Sequence, residues 1–585
     1  MKSGFPRKRA VQACRMCRHR RTKCDNARPS CSMCLTLEVE CVYGDKNDSL
    51  DPGSLAILKR LDGLEQLIRA SKTEDLSITP GGGGPSSRES SSKFGNSPSN
   101  LNYPAPRHLA DTAEYRYHVN VESMLQWPVF ENQNIDQRAN LKCLFHPMGE
   151  INRELQWSPS DPDLQTEEVD NALHSFFDHV HIFNPIFEEM KLTEQLQNVR
   201  LNGLGWNPES CLILLTCAVG LVSCSQEMDP ADSSMMFRRS ETFQLAESFF
   251  FSAQKRMGPL LTERTAIGAQ CFYMAGYYLA TTMRPLEAWK LLNQSLSCCQ
   301  THRRWDSTAT EDEQRRSRLQ QRTYWATFKS ELEICLELDL AQDSINNLAY
   351  PTFFPSPPEC LETELRVGWY FYLSDIAIRR LKNRCLNYIY QCERSQTSTA
   401  DMVEEIINLE KEAEELSTML PAELRGGTQD IEDQFHYPRS TIAKMRVELQ
   451  MHLLDCYEIM YWPFAVNIIS RHVKDDSTCL SFASKALAIC TDRITKSQTR
   501  YRQRQYGSWL ILRRSTRSAL LLLAANLTPG LRQILPPQWK GSVFIVIEML
   551  RYWAEELNDA SHRLTILETL LRNIETSRTT SAMEI

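Results

Sequence analysis

Cys14-Arg15-Met16-Cys17-Arg18-His19-Arg20-Arg21-Thr22-Lys23-Cys24, followed by Cys31-Ser32-Met33-Cys34 and then Cys41, decides how the first 45 residues are read. The half-pattern C-x2-C-x6-C occurs twice with identical intervals, which chance rarely produces. C-x2-C is the bite of a tetrahedral metal site, because one tight turn aims two thiolates at one ion. Two tetrahedral ions need eight ligand positions, so six thiolates can serve both only if two sulfurs bridge. His19, between Cys17 and Cys24, does not stand at a ligand spacing. A pure thiolate set with no open position is structural rather than catalytic. Cys14, Cys17, Cys24, Cys31, Cys34 and Cys41 are therefore the expected metal ligands, and zinc, two ions per chain, the expected metal.

Charge sharpens this reading. Six thiolates and two Zn²⁺ leave a net charge of −2, which would repel a nucleic acid unless cations surround it. Arg15, Arg18, Arg20, Arg21 and Lys23 lie between the first and third cysteines, and Arg7, Lys8 and Arg9 precede them. Basic side chains interleaved with metal ligands suit phosphate and base contact, since the metal fixes the backbone that presents them. The chain as a whole carries −7, but residues 1–50 hold eleven bases and five acids, leaving −13 on the remainder. A basic head on an acidic body implies that the head alone meets a polyanion. The alternatives for the head are a protein-binding zinc module or a metal store, and neither explains the interleaved bases. Arg7-Lys8-Arg9 could be a solvated tail; beside the cluster it suits phosphate contact and nuclear import.

The head resembles the binuclear zinc cluster of fungal transcription regulators, whose core reads C-x2-C-R-x-R-K-x-K-C with a proline before the first cysteine of the second half. Here the core is Cys14, Cys17, Arg18, Arg20, Arg21, Lys23, Cys24, with Pro29 two residues before Cys31. The resemblance implies that Cys14 and Cys31 bridge the ions. It also implies that the short helix after Cys14 points into the major groove of double-stranded DNA, with Arg20 and Arg21 at the bases. Arg21 stands where lysine is usual. Arginine pairs bidentately with guanine O6 and N7, so CGG-like half-sites remain the expected target.

After the head, Ile57, Leu61, Leu64 and Ile68 recur at spacings of four, three and four, with Leu50 in the same register. These are a and d positions of a short heptad seam, weakened by Pro52 and Gly63. Residues 50–70 are either a parallel dimerisation coiled coil, which the resemblance favours, or an amphipathic helix packed on the body. Residues 71–106, with Gly81-Gly82-Gly83-Gly84-Pro85 and many serines, read as a disordered linker.

The rest, 107–580, is expected to be an all-α body, so the fold class is mostly α: a small zinc cluster, a short coil, a linker and a helical domain. Helical patterns cover 240–257, 265–281, 323–338, 368–392, 401–419, 441–461, 508–526 and 541–557, and Pro285 opens another that runs to about His302. Leu173, Phe176, Phe177 and Val180 share a helix face. The longest apolar run, Cys211–Val222, is too short to span a bilayer and reads as a buried helix. No apolar h-region follows the basic start, so no secretory leader is expected. The fourteen cysteines outside the head then read as reduced and buried.

The body resembles the regulatory middle domain of the same family. The matching pieces are Leu125-Gln-Trp127-Pro128-Val-Phe130, His181-Ile-Phe-Asn184-Pro185, Arg284-Pro285-Leu-Glu-Ala-Trp289, Gln321-Arg322-Thr-Tyr-Trp325 with Glu331, and Phe354-Pro355-Ser-Pro357-Pro358. Tyr461-Trp462-Pro463-Phe464 departs from a family preference for arginine before that proline.

His179 and His181 would face different sides of a helix, so they read as a packed pair rather than a metal site. The acidic run Glu404–Glu415 reads as a solvated helix face, with an activation segment as the alternative. Arg500, Arg502, Arg504, Arg513, Arg514 and Arg517 read as helix-surface charge, with a partner-binding patch as the alternative. No G-x-S-x-G, Walker A or H-E-x-x-H motif occurs. The chain is expected to be a nuclear, sequence-specific DNA-binding regulator of RNA polymerase II transcription, acting on a metabolic or biosynthetic gene set. It is expected to be no enzyme and to have no membrane partner. Activator is the more frequent role in the family and the expected one here; the transcription machinery and a second copy of the chain are the other expected partners. An enzyme with an appended DNA-binding head would need convergent titratable groups in the body; a scaffold that uses zinc only to fold would show no salt-dependent DNA binding.

Overall fold

The structure, a computed structural model, divides the chain into two compact units, Met1–Arg107 and His108–Ile585. It describes residues 14, 16, 17, 20, 22, 24, 25, 27, 29–37, 39 and 41 of the first, and 120–133, 135, 161–223, 234–262, 265–300, 311–338, 355, 366–425, 439–471 and 477–583 of the second. The seam at 50–70 and the linker at 71–106 lie outside the described residues.

The first unit contains α1 (Ser32–Thr36). The second is built from α2 (Val121–Leu125), α3 (Glu167–Phe176), α4 (Glu189–Asn202), α5 (Pro208–Ser223), α6 (Ser234–Arg239), α7 (Glu241–Lys255), α8 (Ala266–Thr281) and α9 (Pro285–Gln300). It continues with α10 (Glu311–Glu337), α11 (Arg366–Ser395), α12 (Thr399–Met419), α13 (Arg439–Arg471), α14 (Ser477–Ser497), α15 (Ser508–Leu527), α16 (Trp539–Trp553) and α17 (Asn558–Met583). Single helical turns join some of these, and no strand occurs among the described residues. The body is all-α, as its periodicity predicts.

α5 is apolar nearly all round, as is the part of α15 that follows Arg517, and each anchors one half of the body. In α5, every residue from Ser210 to Val222 is buried, and α3, α7 and α8 pack around it. In α15, Ser518–Asn526 are buried among α14, α16, α17 and α2. One continuous apolar core runs through both halves. α3 and α5 touch backbone to backbone: a Cβ on Gly220 would sit 1.9 Å from the Ala172 carbonyl oxygen, so only glycine fits there. None of the described helices is long and apolar enough to cross a membrane.

Several predicted details hold. α9 starts at Pro285, whose missing N–H is not needed in a first turn. The described body cysteines are all free thiols and all buried. Leu173, Phe176 and Val180 are buried, with Phe177 packed against the same core. His181 sits in a π-helical turn, Phe177–His181, and its Nε2 lies 3.1 Å from the Phe187 carbonyl oxygen; burial pushes its imidazole down to about 4. The acidic run forms the outer face of α12, whose inner stripe is Met402, Ile406, Leu409 and Ala413.

Two expectations fail. The helix expected to end at residue 461 continues through Pro463 to Arg471. A proline inside a helix costs about 3 kcal/mol in lost hydrogen bonding and crowding. Burial of Tyr461, Trp462, Phe464, Ala465 and Val466 around it offsets that. Five of the six arginines of the second basic region are not surface charge, whereas Arg502 is exposed. Arg513 is wholly buried and pairs with Glu122; Arg514 reaches Asp455; Arg517 bridges Glu337 and Glu458. Arg500 and Arg504 pair with Glu448 and Glu556. Each of these five guanidiniums has a carboxylate from another part of the chain, which is how charge is tolerated where water is scarce.

Several of the quoted sequence pieces meet in space. The Trp289 indole N–H donates to Glu331 at 3.0 Å. Arg322 donates to the Pro185 carbonyl at 2.9 Å. Trp127 and Trp462 approach with ring centroids 6.4 Å apart.

Candidate metal centre and nucleic-acid interface

The repeated half-motif folds twice into the same local structure. In the second half, Cys31 is the N-cap of α1, and its sulfur accepts the Cys34 backbone N–H at 3.4 Å. In the first half, the Cys14 sulfur accepts the Cys17 N–H at 3.4 Å, and Met16 and Cys17 begin a helical turn. A sulfur at a helix N-terminus receives otherwise unsatisfied N–H groups and a favourable dipole, both of which stabilise thiolate.

The two halves bring their sulfurs together. Cys14 lies 3.7 Å from Cys31 and 3.6 Å from Cys34, and Cys17 lies 3.6 Å from Cys31, sulfur to sulfur. A zinc–sulfur distance of about 2.3 Å makes the edge of a tetrahedron about 3.8 Å, so this spacing fits the metal. The sulfurs form two groups of four: Cys14, Cys17, Cys24 and Cys31, and Cys14, Cys31, Cys34 and Cys41. Cys14 and Cys31 belong to both. They are buried, as are Cys17 and Cys34, while Cys24 and Cys41 are half-buried at the edge.

Such crowded sulfurs cannot all be anions without a cation among them. The Cys34 N–H and neighbouring thiols hold Cys31 down to about 6. Loss of water and the neighbouring sulfurs of Cys14 and Cys31 push Cys17 up to about 12, and burial with Cys31 and Cys14 raises Cys34 further. Two divalent ions would lift that conflict.

Asp25 does work that the sequence reading overlooked. Its carboxylate accepts the backbone N–H groups of Ala27 and Ser32 at 3.4 and 3.2 Å and also the Ser32 hydroxyl. These bonds, that of the Ser32 side chain first, hold its carboxyl below the usual carboxylate range. Asp25 thereby ties the end of the first half to the start of α1. The signal was present, because Asp25 is the single acid among residues 1–28.

Of the expected DNA-contacting side chains, Arg20 is described. It is exposed, and its backbone N–H closes the first helical turn on the Met16 carbonyl at 3.0 Å. Arg7, Lys8, Arg9, Arg15, Arg18, Arg21 and Lys23 lie outside the described residues.

Residues 12–49 match the fungal Zn(2)-Cys(6) binuclear cluster domain. Over 502 residues the chain is 22% identical to the putative transcription factor ecdB of Aspergillus rugulosus, covering 79% of this chain and 80% of that one. It is 33% identical over 69 residues to the transcription regulator galc of Aspergillus niger, 12% of this chain and 8% of the relative. Over 42 residues it is 50% identical to the oleate activated transcription factor 3 of Kluyveromyces lactis, 7% of this chain and 6% of the relative. The head is a fungal Zn(2)-Cys(6) cluster that binds two zinc ions, and the chain that carries it is a DNA-binding transcription regulator.

Proposed function

We propose that this regulator acts in the nucleus on RNA polymerase II transcription, as an activator of a metabolic or biosynthetic gene set, without catalytic activity of its own. The observation that carries the reading is the sharing of Cys14 and Cys31 between two four-sulfur groups, within a sequence that interleaves bases with ligands. Cys17 and Cys24 complete one zinc site and Cys34 and Cys41 the other, with Cys14 and Cys31 bridging. The cluster then holds the first helical turn rigidly enough for Arg20 and Arg21 to reach base edges of a CGG-like half-site. Arg7, Lys8, Arg9, Arg15, Arg18 and Lys23 supply phosphate contacts around it. Residues 1–45 form this module, 50–70 pair two copies, 71–106 link, and 107–580 carry regulation and contact the transcription machinery. Support for a metabolic gene set comes from one relative, whose name gives oleate as what activates that protein.

The test compares two substitutions in the full chain. Arg21→Ala should lose discrimination between a CGG-bearing site and random DNA, at a cost of about 1–3 kcal/mol for a lost bidentate pair. Lys8→Ala should weaken both DNAs alike and flatten the salt dependence by about one unit of slope. Parallel losses for both variants on both DNAs would reject base reading by Arg21. Genome-wide mapping of bound sites, with transcript levels in a deletion strain, tests the gene set and the sign of regulation.

A further inference from the structure

Within the body lies a cavity of about 550 Å³, walled by both halves of the helical domain. Its wall includes the π-helical turn after α3 and parts of α8, α10, α11, α13 and the 499–507 connection into α15. That volume suits a small organic molecule. The wall is aromatic on some faces: Phe183 meets Phe371 edge to face with centroids 5.2 Å apart, and Tyr277 stacks on Tyr506 at 5.2 Å.

Elsewhere the wall is charged, and the charges are unequal. Seven lysines and arginines line it against four carboxylates. Three of those carboxylates are already engaged by wall cations. Asp375 is held by Lys329, Glu333 by Arg379 and Lys382, and Glu448 by Arg500. Lys444 and Arg502 also line the wall, as does Arg504, which pairs with Glu556. Arg379 is 3% exposed, and its Nε and Nη2 are buried with no protein acceptor, though Nη1 reaches Glu333 at 3.2 Å. The Gln505 side-chain nitrogen, in the same wall, is likewise a buried donor without an acceptor. Native interiors rarely leave such donors unmet, and a site that holds them beside a cavity is suited to an acceptor-rich guest.

We propose that this cavity is a binding site for an aromatic carboxylic acid, its ring against the Phe183–Phe371 and Tyr277–Tyr506 pairs and its carboxylate facing Arg379. A guanidinium whose second edge has no acceptor is the usual partner of a carboxylate, which offers two acceptors in one plane. An uncharged aromatic would bury the same ring but leave those donors unmet. A peptide or nucleic acid is too large for a space of this volume.

The experiment uses the full zinc-loaded chain with 2-naphthoate and its uncharged counterpart 2-naphthamide as probes, followed by calorimetry. The expected result is one naphthoate per chain, bound at least about tenfold more tightly than the amide. Arg379→Gln should abolish that preference. If Arg379→Gln does not fold, Lys444→Glu, at a half-exposed wall position, should still weaken naphthoate about tenfold while leaving naphthamide unchanged. Equal affinity for acid and amide, no binding of naphthoate, or naphthoate binding indifferent to Lys444→Glu would each overturn the proposal. The helical signal and thermal melting of each variant serve as the folding control, because both report the helical body that carries these residues.

Discussion

Arg513 and Glu122 stand 391 residues apart in sequence and meet in a two-point ion pair, Nη1 to Oε1 and Nη2 to Oε2, each at 2.7 Å. Glu122 lies on the five-residue α2, too short to be stable alone. Its helix is held instead by an Asn120–Ser123 capping box and by this pair, with Arg563 of α17 as a second cation. Removing one member of a buried pair leaves the other charge uncompensated. Glu122→Gln should therefore destabilise the body by on the order of 3 kcal/mol, read from urea unfolding of the full chain, since Glu337 and Asp559 give Arg513 only longer-range relief at 3.8 and 3.7 Å. An unchanged midpoint would mean that α2 is not pinned through Arg513.

The same charges set a pH dependence. Burial works to raise the Glu122 carboxyl, but Arg513 and Arg563 outweigh it and hold it at about 2. Burial likewise opposes ionisation of Glu333, while Lys382, Arg514, His452 and Arg379 hold it at about 2. An unfolded glutamate titrates near 4.3, so each carboxylate stabilises the fold fully above that value. Its contribution is lost as the pH falls from about 4.5 towards 2. His452 works in the opposite sense: burial lowers it, but Asp375 and the other carboxylates raise it overall, so its contribution is present in acid and fades as the pH rises through its folded value. Thermal melts should show a steep fall in Tm below about pH 4.5, and Glu122→Gln should make that fall shallower. A Tm flat between pH 5 and 3 would contradict these charge assignments.

Much of the fold was legible because helices announce themselves locally. The apolar run Cys211–Val222 and the Pro285 start both gave the correct element. α14 was passed over, although Cys479, Phe482, Ala483, Ala486, Leu487 and Cys490 repeat at helical spacing, because small residues make a faint stripe. α4 and α17 were passed over too. The six-cysteine pattern of the head was legible, since the cysteines lie within 28 residues and their intervals repeat, whereas the tie made by Asp25 was not. The buried arginines were misread for the converse reason: Arg513 finds Glu122, Arg517 finds Glu337, and Arg504 finds Glu556, partners that no local pattern connects. Nothing in the sequence marked the cavity, whose wall is assembled from at least five helices.

Metal removal separates the two units. Among its described residues the head's apolar core is its cysteines and the side chains packed on them, so its fold free energy is largely metal-binding free energy. A chelator should abolish DNA binding by the full chain and leave the helical signal and melting of the body unchanged. Native mass spectrometry should count two zinc ions per chain. Cys14→Ala or Cys31→Ala should strip both, because each sulfur belongs to both four-sulfur groups, whereas Cys24→Ala or Cys41→Ala damages only one. A chain that keeps one ion after Cys31→Ala would rule out bridging by that sulfur.

Assembly on DNA follows from how little one head can read. A single zinc cluster covers a few base pairs, so it should bind weakly and find many chance matches in a genome. Two joined heads multiply the recognised length and raise the effective concentration of the second contact. The seam at Ile57, Leu61, Leu64 and Ile68 has the a and d spacing for a parallel coil, and the stretch from Val42 to Leu50 would then set the distance between half-sites. Two heptads with Gly63 inside them cannot hold a dimer in solution, so pairing should depend on DNA. Replacing Leu61 and Leu64 together with Asp should lower affinity for paired CGG half-sites by about 10²-fold or more and leave affinity for one half-site nearly unchanged. Gel-shift titrations of the full chain on single and paired sites give the answer: equal losses on both, or a single-chain complex at saturation on the paired site, would show that the seam packs elsewhere.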